Sequence, residues 1–535
     1  MSDDSLTLDV RTRRLEADQQ KDALRQCYAL PEKFSDMQNG LLLAAVDLGS
    51  NSFRLEIGRL DHGRIHRTEY LKETVRQGNG LDADRNLSLD AMQRGWACLA
   101  RFGERLAGFD ASQVRAVATQ TLREARNRDE FLSRGEEILG FPIDVIPGRE
   151  EARLIYHGVT QLLPQSDQRR LVVDIGGRST EMILGQGLHA LTMESYRVGS
   201  VAWSMRYFPD GQFNSRAFKT AEVSAKAVLD ETVNIYHSTA WDVAYGSSGT
   251  IGAVCEVLTA AGGAPGVVTR EGLDWLLERL LKAQSADRLK IEGMREDRRA
   301  VIGGGLSVLR AVFDLLDIKQ MQAAQGALRH GALYDLVDTD HRLTDLRAAS
   351  VQRLATNFNT DAVQAERLSK VAQHLFVMAN FGPAGLESQR WQRKLAWAAQ
   401  LHEVGSQISH SDYHKHGAYI LDNADTPGFA VHELHRLSQL VLGHRGKLRK
   451  LEADFEDRAF VQQLMCLRLA VILCHARRDP ELEGLQLQGA TGLGRLFVLT
   501  CPARWAAAFP QSAHLLREEV VAWQKTSWTL EFSAS

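Results

Sequence analysis

Apolar positions along the chain keep two rhythms. Short continuous apolar runs ending in polar or glycine-rich turns dominate the sequence up to about residue 340, and long 3.6-residue periods dominate the remainder. LLLAAVDLGSNSFRLEIGRL, from Leu41, reads as a strand, a turn and a second strand, with a hairpin strand after it. LSLDAMQRGWACLARFGERLAGF then has helical spacing, with Met92, Trp96, Leu99, Phe102 and Leu106 on one face. VRAVATQTLREARNRDEFLSRGEEILGFPIDVIPGREEARLIYHGV continues as strand, loop, helix, strand and helix, which is α/β organisation. LVVDIGGRSTEMILG, from Leu171, opens a second round. Its match to VDLGSNSFRLEIG is an internal repeat with common turning points, which implies two related half-domains facing a cleft. WDVAYGSSGTIGAVCEVL supplies a third glycine-rich turn and AVIGGGLSVLRAVFDLL a fourth.

Beyond Asp340 the glycine turns thin out. VQRLATNFNTDAVQAERLSKVAQHLFVMA and LHRLSQLVLGHRGKL carry long helical patterns, so an all-helical third domain is expected. LEGLQLQGATGLGRLFVLT reads as two short strands and TSWTLEF as another, giving a small terminal mixed unit. The expected division is an N-terminal extension at 1–40, α/β domains at 41–155 and 156–340, a helical domain at 341–480 and a small α+β domain at 481–535. A chain of 535 residues exceeds one compact core.

Composition narrows the function classes. With 44% hydrophobic and 24% charged residues the chain fits a soluble globule rather than a disordered or membrane protein. A net charge of -3 gives no global attraction to nucleic acid, so no nucleic-acid partner is expected and an anionic substrate becomes a matter of local geometry. Residues 1–40 hold Asp3, Asp4, Arg11, Arg13 and Arg14 without the apolar core of a signal peptide. No apolar run approaches bilayer-spanning length, so the expectation is a cytoplasmic chain without integral membrane association. Cys27, Cys98, Cys255, Cys466, Cys474 and Cys501 are dispersed and read as free, buried thiols.

The candidate chemistry lies in the turns. Asp47 precedes Gly49, Ser50, Asn51 and Ser52, whose small side chains let backbone N–H groups approach phosphate oxygens, although an Asx-turn also explains the stretch. Asp174 repeats the arrangement before Gly176 and Gly177. Two carboxylates facing one cleft suit Mg²⁺, a cation that takes oxygen ligands and keeps several waters. Ser179 and Thr180 offer hydroxyl donors, and Glu181 is either an outer metal group or a solvated strand-edge residue. Gly246, Ser247, Ser248, Gly249 and Thr250 form the third phosphate-sized turn. Arg123 comes after a strand and suits a phosphate clamp, whereas Arg126 and Arg128 read as surface charges. Glu150 and Glu151 open a helix, where acidic side chains favour the positive end of the dipole.

AAVDLGSNSF, ATQTLREARN, GREEARLIYHGV, LVVDIGGRSTEMILG, GSSGT and QGALRHGALY, in this order, resemble the exopolyphosphatase and guanosine pentaphosphate phosphohydrolase family of the actin-like ATPase superfamily. The resemblance implies a multidomain α/β plus α fold: two actin-like (ribonuclease H-like) α/β domains, a degenerate HD-like helical domain and the small terminal domain. It implies phosphoanhydride hydrolysis, with Glu151 as general base. Asp174 would hold or position Mg²⁺ with help from Asp47 and Glu181, while Arg123 and the glycine loops neutralise phosphate charge. The preferred substrate is inorganic polyphosphate, the alternative guanosine pentaphosphate, and a homodimer is the family's assembly.

Two departures qualify the resemblance. The family has a small residue where this chain has Arg178, which raises a noncatalytic polyphosphate or nucleotide sensor as a further alternative. A metal-binding HD domain needs a His-Asp pair, whereas this chain has His402-Glu403; His374, His410, His414, His416, His432 and His444 are assigned structural roles. Lys415, His416, Arg445, Lys447, Arg449 and Lys450 either line a polyphosphate channel or form a solvated surface.

Overall fold

The computed structural model describes residues 39–164, 166–337, 341–379, 386–489 and 494–534. The N-terminal extension up to residue 38, with Cys27 in it, and the expected boundary at Asp340 lie outside the described residues.

Two sheets repeat one design. The first runs β3-β2-β1-β4-β5, from β1 (Leu42–Leu48), β2 (Phe53–Asp61), β3 (Arg64–Glu73), β4 (Val114–Ala118) and β5 (Ile143–Val145). The second comprises β6 (Arg169–Ile175), β7 (Thr180–Gln186), β8 (His189–Tyr196), β9 (Val243–Ser247), β10 (Val267–Thr269) and β11 (Gln320–Ala323), in the order β10-β11-β9-β6-β7-β8. In each, an antiparallel meander is joined by parallel neighbours, β4 beside β1 and β9 beside β6. The second sheet adds β10 as an antiparallel edge. The repeat read from sequence is therefore a repeat of topology and register: Asp47 pairs with Arg54, and Asp174 with Glu181.

Helices cover both sheets. The first six labelled are α1 (Leu89–Leu106), α2 (Gln120–Glu124), α3 (Gly148–Gln161), α4 (Ser248–Ala260), α5 (Ile302–Leu315) and α6 (Leu328–Val337). The Ser88 hydroxyl caps α1 by accepting from Ala91 N at 3.3 Å, and Met92, Trp96, Leu99, Phe102 and Leu106 are all buried as their spacing requires. The fourth expected glycine turn is not a turn. Gly303, Gly304 and Gly305 lie inside α5, where a Cβ on Gly304 would fall 2.4 Å from Ser204 N. Their role is close helix packing, which propensity alone does not reveal.

After residue 341 the chain is helical, including α7 (Ala362–Met378), α8 (Tyr413–Asp422), α9 (Val431–Gly443), α10 (Arg458–Leu473) and, late in the chain, α11 (Pro510–Trp523). A three-stranded sheet of β12 (Gln486–Gln488), β13 (Leu496–Cys501) and β14 (Thr529–Ala534) supplies the expected terminal strands. The two share one hydrophobic core, in which Leu464 and Phe455 pack with Phe497, Trp523 and Leu530. Arg468 on α10 and Glu519 on α11 form a buried bidentate pair at 2.5 and 2.7 Å. Cys98, Cys255, Cys466, Cys474 and Cys501 are free and buried. Among the described residues no helix is long and apolar enough to cross a membrane.

One tie between sheet and helix is sensitive to acid. Glu56 of β2 accepts from Arg329 of α6 and lies 3.1 Å from His330 Nε2. Burial pushes its carboxyl up, but His330 and Arg329 together outweigh that and hold it down at about 2. A depressed carboxylate contributes stability above its unfolded value near 4.5, and loses it as pH falls through about 2. Glu56→Gln is therefore expected to lower stability by on the order of 2 kcal/mol at pH 7, and by progressively less toward pH 2, in urea titrations against the native chain.

Candidate active site

The carboxyl ends of β1 and β6 meet at one cleft, and a cavity of about 300 Å³ opens there. Ligands sit at the carboxyl ends of parallel strands because the turns that leave them expose backbone N–H groups. Asp47, Gly49, Ser50, Asn51 and Ser52 line the cavity from the first sheet. Asp174, Gly176, Gly177 and Ser179 line it from the second, and Ser248, Gly249 and Thr250 from the start of α4. A 13-residue helix aims its N-terminus, with its positive dipole end, at this space, and within its first turn Thr250 N and Ile251 N donate to the Ser248 hydroxyl at 3.2 and 3.4 Å. Ser248 holds a φ of 96°, a region that favours glycine, and such strain is characteristic of functional turns.

Glu151 also lines the cavity, from the first turn of α3. Arg123 stands behind it: Nη1 and Nη2 each donate to Glu151 Oε2 at 3.1 Å, Nη1 donates to Ile146 O at 2.6 Å, and Nη2 also donates to Gln120 Oε1. Burial, opposed by Arg123 and reinforced by Asp174 and Asp47, leaves the Glu151 carboxyl pushed up to about 7. A carboxylate titrating near neutrality suits a general base. Neighbouring Glu150 is engaged elsewhere, bound by Arg153 at 2.8 Å and by Gly428 N at 2.7 Å.

Several expected site residues do not face the cavity. Thr180 is fully buried and its hydroxyl donates to Val198 O at 2.6 Å. Gly246 and Ser247 belong to β9, because the strand runs two residues further than the glycine turn suggested; the Ser247 hydroxyl donates to Gly326 O at 3.0 Å. Arg123 grips Glu151 rather than reaching the cavity as a phosphate clamp. Glu181 lies beneath the cavity, 1% exposed, rather than at a solvated strand edge; one oxygen accepts from Ser195 at 2.7 Å and Oε2 has no hydrogen-bond partner.

Cations missed by sequence motifs complete the lining. Arg54 binds Asp47 Oδ2 at 2.9 Å, and was discoverable by pairing the two repeats, since it occupies the place of Glu181. Tyr70, Lys72, Thr119, Arg295, Arg298 and Arg329 also line the cavity. Lys72 reaches across the cleft to Asp297 Oδ2 at 2.7 Å, and Arg298 is 5% exposed, its Nε 3.8 Å from the same Asp297 oxygen and without a hydrogen bond. Thr119 and Arg329 lie within ATQTLREARN and QGALRHGALY, but no local pattern marks Tyr70, Lys72, Arg295 and Arg298, which arrive from a meander strand and a short helical turn remote in sequence.

The acidic set fits Mg²⁺. Burial pushes Asp174 up to about 6, and burial with the repulsion of Glu151 and Asp174 pushes Glu181 well above the usual carboxylate range. A cation beside them would favour the charged form of each. Among the described residues no three metal-ligating side chains converge on one point. Mg²⁺ itself is commonly held by one or two carboxylates with waters and substrate phosphates.

In the helical half, Nδ1 of His402 lies 2.7 Å from Ala399 O and Nδ1 of His444 2.6 Å from Val441 O, while His414 packs on His444. His432 lies 3.8 Å from Asp144 Oδ1, and the His410 ring lies beside Tyr413. Lys415 pairs with Asp412 at 3.0 Å and Arg445 covers the Tyr413 ring.

Comparison with known proteins agrees with this geometry. Residues 57–340 match the Ppx/GppA phosphatase family and residues 346–520 match Ppx/GppA phosphatase, domain III. A guanosine-5′-triphosphate,3′-diphosphate pyrophosphatase of Vibrio cholerae is 38% identical over 91% of this chain and 97% of its own length. Its namesake in Aeromonas hydrophila is 37% identical over 92% and 99%. Crystal structures of an exopolyphosphatase-like protein (25% identity, TM-score 0.50) and of an exopolyphosphatase from Cytophaga hutchinsonii (24%, 0.50) cover 55% and 56% of this chain, and 97% and 98% of their own. The chain belongs to the Ppx/GppA phosphatase family, and it is a phosphoanhydride hydrolase with a multidomain α/β architecture.

Proposed function

We propose that the protein removes the terminal 5′ phosphate of guanosine 5′-triphosphate 3′-diphosphate, and that inorganic polyphosphate is the poorer substrate. The observation that carries the hydrolytic part is Glu151, buried against Arg123 at the wall of a cavity shared with Asp47, Asp174 and three phosphate-sized turns. The preference between substrates reverses the one drawn from sequence, and it rests on full-length likeness to the two pyrophosphatases.

In the proposed reaction a water oxygen bonds to the terminal phosphorus while the bond to the bridging oxygen breaks. Glu151 takes the proton of that water, and orthophosphate and the shortened nucleotide leave. N–H groups at the start of α4 and in the Asp47 and Asp174 turns, with Ser50 and Ser179, receive the equatorial charge. Asp174 and Asp47 would hold Mg²⁺, with Glu181 behind them, and the bound cation would neutralise the phosphate oxygens as charge shifts to the leaving group. The remaining assignments keep their expected form: two actin-like lobes, an HD-like helical domain and a homodimer, the last checked by sedimentation across the working concentration range.

The test compares orthophosphate release from guanosine 5′-triphosphate 3′-diphosphate and from long-chain polyphosphate at matched enzyme, with Mg²⁺ removed and restored. The expected result is a kcat/KM at least about tenfold higher for the nucleotide and no release from either without the cation. A preference for polyphosphate reverses the substrate assignment. Turnover unaffected by Mg²⁺ removes the metal from the reading.

A further inference from the structure

Arg178 occupies the turn between β6 and β7, yet its side chain leaves that sheet. Its Nε and Nη2 donate to Glu124 Oε2 at 3.0 and 2.8 Å, and Nη1 donates to Gly78 O at 3.2 Å. Glu124 and Gly78 both belong to the first lobe, so one guanidinium spans the cleft through all of these hydrogen bonds. The backbones touch beside it: a Cβ on Gly177 would fall 2.9 Å from Ser50 Cβ, and one on Gly78 would fall 3.2 Å from Arg178 Cδ. The pair is largely shielded, with side-chain exposures of 21% and 12%.

The other end of this contact is the candidate base. Glu124 Oε1 accepts from Gln120 Nε2 at 2.5 Å, Gln120 Oε1 accepts from Arg123 Nε at 3.1 Å, and Arg123 holds Glu151. Glu124, Arg123 and Gln120 share the five-residue helix α2, so a pull on one is transmitted to the others. An unbroken chain of hydrogen bonds therefore runs from the second lobe's glycine turn to the carboxylate of the first.

We propose that Arg178 is a positioning residue that clasps the closed cleft through Glu124 and thereby fixes the Gln120–Arg123 pair against Glu151. It touches neither substrate nor reacting atoms, and its side chain is absent from the cavity wall. When the lobes part, the clasp opens and Glu124, which accepts from Gln120 beside Arg123, loses its partner across the cleft. A glycine or alanine at 178 cannot make the link. The clasp thus ties the geometry of the base to closure over substrate, which limits water attack to the filled, closed site.

The inference rests on the hydrolase reading, and the experiment separates the two. Steady-state orthophosphate release is measured for the native chain, Arg178→Ala, Arg178→Lys, Glu124→Gln and the double variant Arg178→Ala with Glu124→Gln, together with their melting temperatures. The clasp requires kcat to fall about 10- to 30-fold in Arg178→Ala with KM changed less than about threefold, part of the loss recovered in Arg178→Lys, and melting temperatures within about 2 °C. It also requires the double variant to be no slower than the slower single variant, because both break one unit. An unchanged or raised kcat in Arg178→Ala overturns the clasp, as does a higher KM at constant kcat, the mark of a phosphate contact. Additive losses in the double variant overturn it too. Each of these leaves native hydrolysis intact, whereas a native chain that releases no orthophosphate from either substrate defeats the hydrolase reading and the clasp together.

Discussion

Glu151→Gln is expected to lower kcat by about 10²- to 10⁴-fold while leaving substrate affinity within about threefold, because the amide keeps the size of the carboxylate but cannot take a proton. The carbonyl oxygen of Gln still accepts from Arg123, so the wall of the cavity is preserved and the loss reports proton transfer alone. Single-turnover release of orthophosphate, paired with calorimetric binding of the nucleotide, reads the two quantities separately. Robust turnover in this variant would remove Glu151 from the role of base and leave phosphate neutralisation as the whole of the catalysis.

Arg123→Met carries the second large effect and adds a pH signature. In the native chain burial pushes Glu151 up to about 7 against the opposing pull of Arg123. The base must be ionised to act, so kcat/KM in the native enzyme should fall about tenfold per pH unit on the acid side of about 7. Removing the guanidinium takes away the favourable charge, and the carboxyl then holds its proton to higher pH. The acid limb moves upward, turnover at pH 7 falls by about 10- to 100-fold, and much of it returns near about pH 9. A limb that stays in place while the plateau falls would assign Arg123 to substrate charge instead.

Sequence made the repeated strand-turn-strand units legible because apolar runs and glycine turns are local signals. Asp47 and Asp174 stand at corresponding places, as the repeat implied, and the helical face from Met92 to Leu106 is buried as spaced. What sequence could not carry was the use of side chains after folding. Arg123 follows the right strand, but only packing shows that Glu151, Ile146 O and Gln120 take its donors. Thr180 and Ser247 were placed on the site by proximity in sequence, although alternation along a strand turns neighbouring side chains to opposite faces. GGG at 303–305 reads as a turn until Ser204 is seen against it, since close helix contact leaves no periodic trace. Lys72, Arg295 and Arg298 reach the cavity from places with no motif at all.

The helix that carries Glu151 begins in one half of the chain and is finished by the other. Arg149 N, in its first turn, donates to Asp425 Oδ1 at 2.8 Å, and Gly428 N donates to Glu150 at 2.7 Å, so the loop before α9 closes the end of α3. The solved exopolyphosphatase relatives cover little more than half of this chain. A fragment of this chain cut near residue 340 would lose both contacts. It would leave Arg149 N uncapped beside Glu151, and Glu150 facing Arg153 without its partner at Gly428. The two family matches therefore do not divide the chain into independent halves: the helical half is a structural component of the helix that carries Glu151.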